Sequence, residues 1–162
     1  MIFAEIEAFA AALPRTGAVA GLDLGTKTIG VAVSDGLRAI ATPLTTIRRT
    51  KFTADAAELD RLLAGRDIAG LILGLPRNMD GSEGPRAQST RAFARNLDAR
   101  APRPLAFWDE RLSTVAAERA LLEADTTRKR RAEVIDHVAA SYILQGALDR
   151  MGRIGAPADD HD

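Results

Sequence analysis

Ala18-Val19-Ala20-Gly21-Leu22-Asp23-Leu24-Gly25-Thr26-Lys27-Thr28-Ile29-Gly30-Val31-Ala32-Val33-Ser34 consists of two apolar stretches, 18–24 and 28–34, joined at Gly25-Thr26-Lys27. A third stretch, 39–46, follows the turn residues Asp35-Gly36-Leu37-Arg38. Short runs of β-branched and apolar residues bounded by turn signals read as strands, so the region predicts a three-strand antiparallel meander. Asp23 breaks the apolar pattern. A carboxylate inside a buried strand is costly unless it is paired, hydrogen-bonded or bound to a metal. Strand alternation puts Asp23 and Gly25 on one side, where the missing glycine side chain leaves room for a ligand backbone and Lys27 lies within reach of a phosphate. A plainer reading stands beside this one, in which Asp23 only accepts backbone hydrogen bonds in the turn.

Beyond the meander, helices and strands alternate. Thr53 is placed to cap a helix whose Ala56, Leu59, Leu62 and Leu63 share a face, with Asp55 in its first turn and an end near Gly65. Residues 68–73 are almost continuously apolar, as in a strand covered on both faces. The loop 74–84 leads to Pro85, which opens a helix with Phe93 and Leu97 inward. A strand at 105–108, a helix capped by Ser113 or Thr114 and running through Leu122, and a last helix over about 132–149 complete the order. In front of the meander, Ile2, Ile6, Phe9 and Leu13 recur at helical spacing until Pro14 stops the pattern. This order predicts an α/β fold: a mixed five-stranded sheet flanked by helices, with an extra N-terminal helix. The expected division is a helical extension over 1–16, one domain over 17–150 and a disordered tail over 151–162.

Composition narrows the chemistry. At 162 residues, 46% hydrophobic and 27% charged, the chain fits a single globular domain. No apolar run is long enough to span a bilayer, and the N-terminus does not read as a signal peptide, which makes a cytoplasmic protein without a membrane partner the expectation. With no cysteine, disulfides, thiolate metal sites and cysteine nucleophiles are excluded. Lys plus Arg and Asp plus Glu balance at 22 each, so overall charge gives no sign of a nucleic-acid binder. The charge is uneven, however: Arg48, Arg49 and Lys51 form one basic knot and Arg128, Lys129, Arg130 and Arg131 another. Either knot suits a phosphate backbone, or a merely solvated helix entry and loop.

Two further acidic positions stand out. Asp109-Glu110, followed by Arg111, closes the strand at 105–108, and ligands of α/β sheets gather at strand ends. Acids just before a helix are also common caps. Asp136 lies on the flank of the last helix's apolar stripe, formed by Val134, Ile135, Val138, Ala139, Tyr142 and Ile143; a solvated helical acid is the ordinary alternative. His137 is expected to point further toward solvent, and Trp108 into the core. Taken together, three carboxylates from two strand ends and a helix have the composition of an oxygen-only site for Mg²⁺ or Mn²⁺. Two such ions activate water and stabilise a leaving oxygen in phosphodiester hydrolysis.

Four ordered motifs carry a family resemblance: Asp23-Leu24-Gly25-Thr26-Lys27-Thr28-Ile29-Gly30-Val31-Ala32, the loop from Gly74-Leu75-Pro76-Arg77-Asn78 to Gly84, Asp109-Glu110-Arg111-Leu112-Ser113-Thr114, and Asp136 with Ala139-Ala140 and Ile143-Leu144. Over residues 19–148 the chain resembles the YqgF (RuvX) family, RNase H-like proteins associated with Holliday junction resolution and with maturation of the 5′ end of pre-16S rRNA. The resemblance implies an RNase H-like fold and a metal-dependent nuclease acting on pre-rRNA or branched DNA, with a homodimer as one possible assembly. It implies an acidic, metal-holding triad of Asp23, Glu110 and Asp136, with Asp109 as alternative neighbour and Lys27 in support, and Arg77, Arg86 and Arg111 as nucleic-acid contacts. Two rival classes remain. Asp-Leu-Gly-Thr also resembles the phosphate loop of sugar kinases and chaperone ATPases, although those clamp nucleotide between two related domains and only one fits here. The other rival is a catalytically silent nucleic-acid-binding module.

Overall fold

The structure, a computed structural model, describes residues 1–112 and 128–155, with side chains described for 1–112 and 137–154. The chain opens with a two-residue strand β1 (Ile2–Phe3) and a helix α1 (Ile6–Ala12). The helical spacing that begins at Ile2 therefore overstates the helix. Ile2 and Phe3 pair in parallel with Leu105 and Ala106, and this ladder makes the sheet six-stranded where five strands were expected.

The meander forms as β2 (Ala18–Leu24), β3 (Thr28–Ser34) and β4 (Ala41–Arg48), paired antiparallel in sequence. β4 begins two residues later than the sequence suggested, and Asp35 supplies the reason. Its Oδ1 accepts the N–H groups of Ala39 and Ile40 at 2.8 and 2.9 Å, so those donors belong to the turn, where Arg38 also has a φ of 58°. β4 lies at the edge of the sheet, a position that tolerates Pro43 because one side of an edge strand needs no N–H donors.

Helix α2 (Phe52–Leu63) starts at Lys51, with Thr53 inside it and not at its cap. The entry is held instead by buried Asp55, whose Oδ1 accepts the Thr50 N–H at 2.9 Å and the Thr50 hydroxyl at 3.2 Å. Next come β5 (Ile68–Leu75), α3 (Pro85–Arg100) and β6 (Leu105–Asp109), which ends in a 3₁₀ turn over Glu110–Leu112. The helix expected to run from residue 113 or 114 to 122 lies outside the described residues. The last helix, α4 (Arg128–Gly155), extends beyond the expected span at both ends and takes in residues 151–155, which were assigned to a disordered tail.

Across the sheet the order is β1-β6-β5-β2-β3-β4, with β1, β6, β5 and β2 parallel. One face packs Leu22, Leu73 and Leu105 against Leu59 of α2 and Phe93 and Leu97 of α3. The other packs Val19, Ile72 and Trp108 against Phe9 of α1 and Ile143, Leu144 and Leu148 of α4. With both faces covered, β2 is buried along its whole length, which explains why it reads as an uninterrupted apolar run apart from Asp23.

Candidate active site

Glycines bring α4 onto the backbone of the two central strands. A Cβ on Gly21 would stand 2.7 Å from Leu144 Cβ, and one on Gly74 would stand 2.5 Å from Ile143 Cδ1 and 2.9 Å from Glu110 Oε1. The Glu110 carboxylate therefore lies over Gly74, on the α4 side of the sheet. Strand alternation places Asp23 on that side too, two residues beyond Gly21. Leu22 and Leu73 are register partners, so the following residues, Asp23 and Gly74, stand side by side. Asp23 is only 4% exposed, whereas Glu110 is half-buried at the rim. The structure thus brings two of the three expected acids to the same end and the same side of the sheet.

The third acid, Asp136, is carried by α4, and its side chain lies outside the described residues. Its neighbour His137 locates that part of the helix. His137 Nδ1 lies 2.9 Å from Thr46 Oγ1, and Thr46 pairs with Gly30, which pairs with Asp23. His137 is thus half-buried against β4 and not turned out to solvent as expected, and the start of the described side chains of α4 lies level with the Asp23 row. Among the described residues, no three His, Cys, Asp or Glu side chains form a group able to hold a metal ion.

Asp109 behaves differently from Glu110. It follows Phe107 on the opposite side of β6 and is bound by Arg111 through the backbone N–H at 3.0 Å and through Nε and Nη2 at 3.1 and 2.7 Å. Arg77 Nη1 stands 3.9 Å away. Hydrogen bonding from the Arg111 side chain holds the Asp109 carboxyl below the ordinary carboxylate range against the opposing effect of partial burial. Arg77 also approaches Glu83 at 3.5 Å, and Glu83 is itself depressed, chiefly by its hydrogen bond to Arg91. Arg111 reaches the backbone carbonyl of Met79 at 3.5 Å, tying the loop to the end of β6; that loop begins after Leu75 and not at Gly74, because Gly74 and Leu75 pair with Trp108 and Asp109. Arg86 is exposed in the first turn of α3, and Lys27 is exposed in the β2–β3 turn.

The family described as "RuvX: Holliday junction resolvase" matches residues 17–150. The chain belongs to the RuvX family. A relative from Paracoccus denitrificans named "Putative pre-16S rRNA nuclease" is 76% identical over 155 residues, covering 96% of this chain and 98% of the relative. One of the same name from Cereibacter sphaeroides is also 76% identical over 155 residues, covering 96% and 97%. Among solved structures, RuvC of Thermus thermophilus in complex with a Holliday junction substrate superposes with a TM-score of 0.50 at 14% identity, covering 84% of this chain and 96% of that one. At that identity the likeness concerns the fold alone, which is RNase H-like.

Two features of this RuvX-family site escaped the sequence reading. The first is the glycine floor of Gly21 and Gly74, for which glycines inside apolar strands were the available signal. The second is Arg49, whose Nη1 donates to the Gly25 carbonyl at 2.7 Å and whose backbone N–H donates to the Lys27 carbonyl at 2.8 Å. Arg49 braces the turn after Asp23 and packs 5.9 Å from the ring centroid of Phe93. A basic cluster in the sequence marked its position without revealing that one of its members faces inward.

Proposed function

We propose that this RuvX-family chain is a divalent-metal-dependent nuclease that hydrolyses phosphodiester bonds, with the 5′ region of precursor 16S rRNA as its substrate. The observation that carries the reading is buried Asp23 standing beside Gly74, over which the Glu110 carboxylate is placed, with the helix bearing Asp136 packed against the same strands. The donor set fits a hard cation, since every candidate ligand is a carboxylate oxygen. The floor at Gly74 fits as well, because any Cβ there would crowd Glu110 Oε1.

Asp23, Glu110 and Asp136 would hold Mg²⁺ or Mn²⁺, which when bound supplies Lewis acidity and lowers the pKa of a coordinated water. The remaining work belongs to the protein. Arg49 fixes the turn after Asp23, Arg111 fixes the loop 76–84, and Lys27, exposed at the turn, is placed to meet a phosphate oxygen. Asp109, engaged by Arg111, serves to hold that arginine in place. The two relatives named for pre-16S rRNA support the RNA substrate, and such a substrate carries a cytoplasmic location with it. The family description favours a second reading, branched DNA. Resolution of a four-way junction requires paired cuts related by two-fold symmetry, so that reading also requires a homodimer.

Cleavage of a precursor rRNA fragment and of a four-way DNA junction, each with Mg²⁺, with Mn²⁺ and with EDTA, tests the proposal. RNA cleavage that requires metal and disappears in Asp23→Asn, Glu110→Gln and Asp136→Asn is expected. Full activity in EDTA, or normal cleavage by folded Asp23→Asn, would refute it, while metal-dependent cutting of the junction alone would replace the substrate.

A further inference from the structure

Cations around the site fall into two groups that differ in what holds them. On the side of the loop 76–84, Arg77, Arg91 and Arg111 are each engaged by Glu83 or Asp109, while Arg86, exposed at the start of α3, stands there without such a partner among the described residues. On the meander side, Lys27, Arg48 and Lys51 are all exposed, and among the described residues no carboxylate lies within ion-pairing distance of any of them. Arg48 pairs with Thr28 across β3 and β4, two residues past the Thr46–Gly30–Asp23 row and therefore at the same end of the sheet. Two strand spacings, about 10 Å, separate that edge from Asp23.

The rim is also built to keep its shape. Arg49 ties the backbone at Gly25 and Lys27 to the connection between β4 and α2, so Lys27 projects from a braced turn. Helix α2 begins at Lys51 without a side-chain cap, leaving first-turn N–H groups whose dipoles favour an anion. Asp55, the acid of that turn, is buried and engaged by Thr50. An engaged arginine must give up its carboxylate before it binds a phosphate, whereas the cations of the meander rim have no carboxylate to give up among the described residues.

From this asymmetry we infer that Lys27, Arg48 and Lys51, braced by Arg49, form the main track for the phosphodiester backbone of a single-stranded substrate entering the site, and that Arg77 and Arg111 contribute little to ground-state binding. The inference rests on the nuclease reading and specifies the surface by which the substrate is held.

The test measures binding in EDTA, where cleavage does not intervene. The probe is a fluorescein-labelled single-stranded RNA of about 16 nucleotides, titrated by anisotropy over a series of salt concentrations with the full chain. Each phosphate contact contributes about 0.7 to the slope of log affinity against log salt for a single strand. Lys27→Ala/Arg48→Ala/Lys51→Ala is therefore expected to flatten the slope by about 2 and to weaken low-salt binding by tenfold or more. Arg77→Ala/Arg111→Ala should change the slope by less than one contact. A matched triple, Arg15→Ala/Arg66→Ala/Arg95→Ala, removes the same charge from elsewhere on the surface and should leave the slope near wild type. Thermal unfolding confirms that each variant is folded. A wild-type slope in the rim triple, or an equal loss in the matched triple or in Arg77→Ala/Arg111→Ala, overturns the inference. Absence of salt-dependent binding by the wild-type protein to this RNA and to a four-way junction would instead overturn the nuclease reading.

Discussion

Adding one methyl group at Gly74 tests whether the site is built by close approach of a helix to a strand. The new Cβ in Gly74→Ala would stand 2.5 Å from Ile143 Cδ1, 3.2 Å from Ile143 Cγ1 and 2.9 Å from Glu110 Oε1. Ile143 is fully buried, so its end cannot swing into solvent, and relief must come from a shift of α4 or an unfavourable rotamer. Overpacking of this kind costs about 1–3 kcal/mol. For a chain of this length that corresponds to a fall in Tm of roughly 2–12 °C. Gly21→Ala is the matched control, since its Cβ would meet Leu144 Cβ at 2.7 Å and the Ala140 carbonyl at 3.1 Å without approaching Glu110. Urea and thermal unfolding should show both variants destabilised by similar amounts. Cleavage measured well below both transitions should fall at least tenfold more in Gly74→Ala than in Gly21→Ala, because only the former displaces the Glu110 carboxylate. Wild-type stability and cleavage in Gly74→Ala would refute the close approach and, with it, the placement of Glu110.

Gly146 presents a similar contact to Trp108, with a built Cβ 2.9 Å from the indole Cε2 and Cζ2. Gly146→Ala should cost about 1–3 kcal/mol alone and less in a Trp108→Phe background, so a double-mutant cycle by urea unfolding should give a coupling of about 0.5 kcal/mol or more; strict additivity would count against the contact. Asp35 is held below the ordinary carboxylate range by the N–H groups of Ile40 and then Ala39. A depressed folded value means that its stabilisation is complete above the unfolded value near 3.9 and is lost as pH falls through the folded one, so Asp35→Asn should be less stable than wild type at pH 7 with the gap closing in acid. A gap independent of pH would show that the charge of Asp35 does not matter. If Asp23, Glu110 and Asp136 crowd one another to hold metal, neutralising Asp23 as Asn should leave apo stability unchanged or raised while reducing the Tm gain on adding Mg²⁺; a large loss of apo stability would instead mark Asp23 as a structural acceptor.

The meander, the central strand, read as 68–73 and running on to Leu75, and the α3 helix were legible because each rests on a local rule: apolar runs between turn residues, or Pro85 at the first helical position. What the sequence misstated depends on partners far along the chain. Ile2 reads as the first member of a helical stripe, yet Ile2 and Phe3 complete a ladder with Leu105 and Ala106. Thr53 has the chemistry of a cap, but Asp55 captures Thr50 and starts the helix earlier. At the site, the residue types were visible in the sequence, whereas their sides were not. Asp109 and Glu110 are equivalent acids until the course of β6 and the 3₁₀ turn puts one against Arg111 and the other over Gly74.

That separation bears on how a protein with no excess positive charge can serve a polyanion. Balanced totals of 22 and 22 describe the whole chain, but the field at a site depends on which charges are already compensated nearby. Near the loop 76–84, each arginine that meets Glu83 or Asp109 cancels most of its own attraction for phosphate while gaining a fixed position. On the meander side the compensation is absent among the described residues, and the same number of basic groups projects a larger field. One class of cation shapes the loop and the other attracts the substrate, so net charge underestimates the binding surface. The two carboxylates between them, Asp23 and Glu110, would repel a phosphate approaching the metal-free site. Binding in EDTA should therefore be held chiefly at the meander rim, while added Mg²⁺ or Mn²⁺ should tighten binding by removing the central repulsion. If metal leaves affinity unchanged in a cleavage-deficient Asp136→Asn protein that still binds the ion, the carboxylates do not face the substrate path and the proposed geometry of the site is wrong.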